Sequence, residues 1–99
     1  MTVDELKKIV EQKTGGVVLF DVREGDEIKG DIIDGAISLP MGRVFVEASR
    51  GNIPKDKKII AICKSGVRSE IVARELKARG YDIDYLVGGM DEWKSSVKA

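Results

Sequence analysis

Apolar residues along this chain fall into two kinds of run, spaced at helical intervals or packed side by side, and the two kinds alternate. Thr2 followed three places later by Glu5 reads as a capping box, and Val3, Leu6, Ile9 and Val10 recur behind it at the helical period. This predicts a first helix through about Gln12, stopped near Gly15-Gly16. The next segment, VVLFDV from Val17 to Val22, is β-branched and apolar without alternation. Such a run marks a strand buried on both faces and central in its sheet. Arg23 to Asp34 is polar and punctuated by glycine, which predicts a loop with one helical turn in it. Ala36 to Leu39 reads as a short strand ended by Pro40.

Residues 41–51, MGRVFVEASRG, carry a mixed pattern compatible with a helix, and Asn52-Ile53-Pro54-Lys55-Asp56 is turn chemistry. KKIIAIC, Lys57 to Cys63, predicts a second buried strand that ends on the cysteine. Ser69 to Arg79 predicts a helix with Ile71, Val72 and Leu76 on one side and Gly80 as its stop. Asp82 to Val87 alternates like a strand, and after Gly88-Gly89 the segment MDEWKSSVK predicts a closing helix anchored by Trp93. Short strands alternating with helical segments define an α/β domain with a largely parallel sheet between helices.

Composition narrows this picture. At 99 residues and 42% hydrophobic content the chain builds one core, so a single domain over residues 1–99 is expected. Its 17 basic and 17 acidic side chains cancel without long runs of one sign, which argues against nucleic-acid and membrane-surface partners. The absence of an apolar run long enough for a signal peptide or a bilayer span makes a cytoplasmic protein the expectation. One cysteine excludes an internal disulfide and a multi-cysteine metal site within one chain. The lack of histidine removes Ser-His-Asp and Cys-His catalysis. A nucleophile in this chain has to be activated by something else.

Cys63-Lys64-Ser65-Gly66-Val67-Arg68-Ser69 offers that activation. A cysteine leaves the carboxyl end of a buried strand, the edge where open α/β sheets bind ligands, and a glycine-containing loop leads directly into a helix. N–H groups of the loop and first helical turn lack intrahelical partners and converge on an anion, with the helix dipole adding positive potential. Lys64 and Arg68 are expected to add to that potential and lower the Cys63 pKa. Gly66 permits a positive φ and the close approach of a ligand. A lone cysteine at a strand end is by itself more often a small core hydrophobe than a nucleophile. Lys, Ser, Gly and Arg within the next five places favour the nucleophile, although Ser69 also fits a plain helix cap and Arg68 a solvent position.

The segment from Ile62 to Trp93, with its cysteine loop, its helix ending in Gly80-Tyr81 and its Leu86-x-Gly88-Gly89-x-x-x-Trp93 close, resembles the catalytic half of the rhodanese family. Asp21-Val22-Arg23-Glu24 and Gly35-Ala36-Ile37-Ser38-Leu39-Pro40 resemble that family's other two signatures, in matching order and spacing. The resemblance implies a rhodanese-like fold, a central mostly parallel sheet flanked by α-helices on both faces. It implies a sulfurtransferase that moves a sulfane sulfur from a donor such as thiosulfate, through a persulfide on Cys63, to cyanide or a thiol. Donor and acceptor are then small molecules, or proteins carrying the sulfur, and the resemblance implies neither a metal nor an organic cofactor. The backbone N–H groups from Lys64 through Ser65, Gly66, Val67, Arg68 and Ser69 would cradle the terminal sulfur, Lys64 and Arg68 would favour an anionic donor, and Asp21 and Arg23 would pin loops near the site.

Departures from the family pattern lie upstream. Many members carry Gly-His-Ile-Pro-Gly-Ala where this chain has Gly30-Asp31-Ile32-Ile33-Asp34-Gly35-Ala36, and Ile28 stands where an aromatic is often found. Two other functions compete. Dual-specificity phosphatases of related fold need five residues between cysteine and arginine to surround a phosphate, and Cys63 and Arg68 enclose four. Non-catalytic rhodanese-like modules serve binding or regulation, commonly with the cysteine lost or the loop altered, and both are intact here.

Overall fold

The computed structural model describes residues 1–28 and 30–97. Helix α1 (Val3–Gln12) opens with the predicted capping box: the Thr2 hydroxyl accepts from the Glu5 N–H, and the Glu5 carboxylate accepts from the Thr2 N–H at 3.0 Å. Four strands follow among the described residues, β1 (Val17–Asp21), β2 (Ile37–Ser38), β3 (Lys58–Ile62) and β4 (Ile83–Tyr85), all parallel, in the order β2-β1-β3-β4. β1 and β3 pair from Val17 with Lys58 to Asp21 with Ile62. The two runs without alternation are therefore the two central strands.

Burial on both faces explains their composition. Successive side chains of a strand point to opposite sides. On β3, Ile59 and Ala61 join one core cluster with Phe20, Val44, Val72 and Leu76, while Ile60 and Ile62 join a second with Leu6, Leu19, Leu86 and Met90. Helices α3 (Met41–Ser49) and α4 (Val67–Ala78) cover the first face, and α1 and α5 (Gly89–Val97) the second. Residues 41–51 thus supply a helix, with Val44 as its buried residue. The single turn between β1 and β2 is α2 (Gly25–Ile28).

Three details differ from the sequence expectation. α4 begins at Val67 rather than Ser69, because Gly66 is its N-cap, and Ser69 lies inside the first turn. Ile71 faces solvent, and Ser69, Val72, Ala73 and Leu76 form the buried face instead. α5 is anchored by Met90, 2% exposed, whereas Trp93 is half-buried at the edge of the second cluster. The predicted end of this helix at Lys98 lies outside the described residues. Among them, no helix is long and apolar enough to cross a membrane.

Candidate active site

β3 delivers Cys63 to the carboxyl edge of the sheet, next to the end of β1, where the Val22 N–H donates to the Ile62 carbonyl at 2.8 Å. The chain then reverses through Lys64, Ser65 and Gly66 into α4. Gly66 has φ +100°, and a Cβ there would stand 3.2 Å from the Gly88 backbone nitrogen, so both conformation and space call for glycine. This reversal points the start of α4 back at the sulfur. The N–H groups of Gly66 and Ser69 lie 3.1 and 3.4 Å from Cys63 Sγ, and the Ser69 hydroxyl lies 3.3 Å away.

Ser69 Oγ is also 3.2 Å from the Gly66 carbonyl oxygen. A hydroxyl has one proton to give. With a thiol at residue 63, Sγ–H donates to Ser69 Oγ and the hydroxyl donates to Gly66; with a thiolate, the hydroxyl turns to the sulfur. Burial pushes the Cys63 thiol pKa up, but the Ser69 hydroxyl and the N–H groups of Ser69, Gly66 and Ser65 outweigh it and hold the value below the ordinary one. Among the described residues the N–H groups of Lys64, Val67 and Arg68 donate to no protein acceptor. They remain available to an anion in the loop.

The other side of the cysteine is held by α5. The N–H groups of Met90 and Asp91 donate to the carbonyls of Cys63 and Lys64 at 2.8 and 2.9 Å. A Cβ on Gly89 would fall 2.4 Å from the Cys63 carbonyl oxygen and 2.6 Å from that of Lys64. The Gly88-Gly89 pair therefore lets a helix end approach a backbone that a side chain would push away. The sequence signal for this was a glycine pair ahead of a helix, which reads equally as an ordinary turn.

The cations depart from expectation. Both terminal guanidinium nitrogens of Arg68 contact Glu27 of α2, Nη1 to Oε1 at 2.7 Å and Nη2 to Oε2 at 2.8 Å, and Lys64 Nζ lies 3.3 Å from Asp91 Oδ2. The Arg68 guanidinium, helped by the Glu24 N–H, lowers the Glu27 pKa to about 2, and Glu27 in turn raises that of Arg68. The thiol pKa is thus lowered chiefly by the hydroxyl and backbone donors, while the two cations are spent on carboxylates.

Asp21 and Arg23 lie beneath this rim, 0% and 3% exposed. The guanidinium of Arg23 contacts both oxygens of Asp21, the shortest at 2.8 Å, and the Arg23 N–H donates to Asp21 Oδ1 at 3.1 Å. Asp31 joins this pair: it accepts from Arg23 Nη2 at 3.2 Å and contacts Lys94 of α5. A chain of charges thus links the loop after β1 to α5. Beside it, a cleft of about 320 Å³ is lined by Arg23, Glu27, Lys64, Met90, Asp91 and Lys94, among others. A larger cleft, about 540 Å³, lies between the start of α1 and α5 and includes no residue of the cysteine loop.

A parallel sheet covered on both faces, with a central strand leading a cysteine into a loop of uncommitted N–H groups, defines an α/β domain built around a cysteine loop. The chain belongs to the family of rhodanese-like domains, whose model matches residues 2–96. It is 32% identical over 84 residues to a tRNA sulfurtransferase of Desulfurococcus amylolyticus, covering 85% of this chain and 16% of that protein. It is 34% identical over 80 residues to the putative sulfurtransferase YtwF of Bacillus subtilis, covering 81% of this chain and 76% of that protein. Among solved structures, a rhodanese-like domain protein from Staphylococcus aureus superposes with a TM-score of 0.80 at 31% identity, over 94% of this chain and 88% of that one.

Proposed function

We propose that this protein is a rhodanese-type sulfurtransferase in which Cys63 carries the travelling sulfur as a persulfide. The observation that carries the reading is the surroundings of Cys63 Sγ: two backbone N–H groups and a hydroxyl on the sulfur, with three further N–H groups around the loop, those of Lys64, Val67 and Arg68, left unspent. Membership of the rhodanese-like family and relatives named as sulfurtransferases support it.

In the first step the Cys63 thiolate attacks the outer sulfur of a sulfane donor, for which thiosulfate is the simplest case. A sulfur–sulfur bond forms to Cys63, the donor's own sulfur–sulfur bond breaks, and the leaving group takes the electron pair, as sulfite when thiosulfate is the donor. The outer sulfur of the persulfide then sits among the N–H groups of Lys64, Ser65, Val67 and Arg68, which stabilise its negative charge without having to reorganise. In the second step cyanide or a thiol, free or carried by a protein, attacks this outer sulfur and the Cys63 thiolate departs. Asp21 and Arg23 take no part in bond making; they hold the loop that carries Glu27. Work as a free thiolate suits a reducing compartment such as the cytoplasm.

Incubation with thiosulfate followed by intact-mass measurement tests this. The expected result is a gain of one sulfur, absent in Cys63→Ser and discharged by cyanide. No gain from thiosulfate or from any other sulfane donor would replace the reading with a binding module.

A further inference from the structure

We infer that Glu27 and Asp91, by occupying Arg68 and Lys64, set this site against a dianionic donor and select a sulfane donor of low charge, a persulfide or thiosulfonate carrying at most one negative charge. The inference rests on the sulfur-transfer reading and adds the substrate class to it. Lys64, Lys94 and Arg23 line the cleft beside the cysteine loop, Arg68 contacts Glu27 in its wall, and each of the four is engaged: Arg68 with Glu27, Lys64 with Asp91, Lys94 with Asp31, and Arg23 with Asp21 and Asp31. Asp26 adds a further carboxylate to the cleft wall.

Geometry makes the Arg68 pair the decisive one. Both of its Nη groups are used by one carboxylate, which closes the fork that would otherwise grip an oxyanion at two points. Glu27 does not depend on Arg68 for its place, because its Oε1 also accepts the Glu24 N–H at 3.1 Å, and the loop that carries it is pinned by the buried Asp21–Arg23 pair. A dianion arriving here meets cations already neutralised and retains only the N–H groups of the loop. It must shed more hydration than a monoanion for the same contacts. The outer sulfur of a persulfide or thiosulfonate needs those same N–H groups and nothing further.

The chemistry balances with either donor class: Cys63 Sγ bonds to the outer sulfur, the donor's sulfur–sulfur bond breaks, and the thiolate or sulfinate leaving group departs with the electron pair. The experiment compares thiosulfate with methanethiosulfonate, which offers the same terminal sulfur with one negative charge fewer. Second-order rates of persulfide formation are read by quenched intact mass for wild type, Glu27→Gln and Asp91→Asn. Glu27→Gln keeps shape and one hydrogen bond while removing the charge. Deleting one negative charge from the cleft in a water-like medium is expected to speed methanethiosulfonate about threefold and thiosulfate by about the square of that factor, roughly tenfold, since the interaction energy scales with donor charge. The thiosulfate rate of Glu27→Gln should also fall with added salt more steeply than that of wild type.

Equal acceleration of both donors, or a fall in the thiosulfate rate, overturns the inference and leaves sulfur transfer standing. Failure of both donors to load sulfur on the wild type and on folded variants removes the sulfur-transfer reading itself. Should Glu27→Gln not fold, Asp91→Asn decides by the same criterion, because that carboxylate is 55% exposed and supports nothing buried.

Discussion

Replacing Gly89 with alanine tests how tightly the cysteine's backbone is held. At φ +58° an alanine side chain is disfavoured by roughly 1–2 kcal/mol. Its Cβ would also stand 2.4 Å from the Cys63 carbonyl oxygen and 2.7 Å from the Lys64 carbonyl carbon, backbone atoms that no side-chain rotation relieves. α5 then has to retreat, which lengthens the bonds from the Met90 and Asp91 N–H groups, each contributing about 0.5–1.5 kcal/mol. Together these effects cost about 2–5 kcal/mol, from a stability of about 5–15 kcal/mol for a domain of this size. The variant should fold with a Tm lower by about 8–40 °C. Urea unfolding followed by the fluorescence of Trp93, the single tryptophan and itself on α5, measures the loss directly. Gly15→Ala is the control: its Cβ meets nothing within 4 Å and its φ is not positive, so it should stay within about 0.5 kcal/mol of wild type. A Gly89→Ala protein as stable as that control would refute the close approach. Persulfide formation should slow in parallel, because displacement of α5 frees the Cys63 carbonyl and loosens the loop.

Ser69→Ala removes a hydroxyl that favours the thiolate, so the pH midpoint of Cys63 alkylation by iodoacetamide should move up; an unmoved midpoint would leave the activation to the backbone alone. Asp21→Ala leaves the buried Arg23 guanidinium with only the half-buried Asp31 as a carboxylate partner among the described residues and should cost about 3 kcal/mol in urea unfolding, most of it recovered in an Asp21→Leu, Arg23→Met double variant. A single variant costing under about 1 kcal/mol would contradict this burial argument. Glu27 titrates near 2 when folded and at an ordinary 4.5 when unfolded, so its stabilising effect is complete above about pH 4.5 and drains away as pH falls toward 2. Glu27→Gln should flatten the stability profile within that window, and identical acid slopes would show that the Arg68 pair is not maintained in solution.

The layout of the domain was legible because its two central strands are apolar on both faces, a pattern that few helices of the same length share. Val17–Val22 and Lys57–Cys63 stand out for that reason, and a cysteine at the end of one of them drew attention to the loop that follows. The start of α4 was misplaced for an equally physical reason. Serine is a common cap, but the Ser69 hydroxyl is committed to sulfur and to the Gly66 carbonyl, and the helix begins on a glycine without a side-chain cap. Pairing across the site was beyond local pattern. Glu27 and Arg68 are separated by 41 positions and Lys64 and Asp91 by 27, so no periodicity brings them together. Lys64 and Arg68 read as free cations in one dimension and prove to be half of two ion pairs in three. Asp31 is similar: alone it is a substitution in a motif, and only the fold places it between Arg23 and Lys94.

The loop holds its sulfur largely through main-chain N–H groups, and that has a consequence for how such a domain can diversify. Every residue except proline supplies an N–H, so exchanging the side chains at 64, 65 and 67 leaves these donors in place. Lys64, Ser65 and Val67 are all exposed, so their replacement disturbs little packing. Recognition of a partner can therefore be rewritten on the outside of the loop while the reactivity inside it is inherited unchanged. A library randomised at these three positions, with Cys63, Gly66, Ser69 and Gly89 kept, would separate the two properties experimentally and turn one scaffold into a set of carriers that differ only in what they meet.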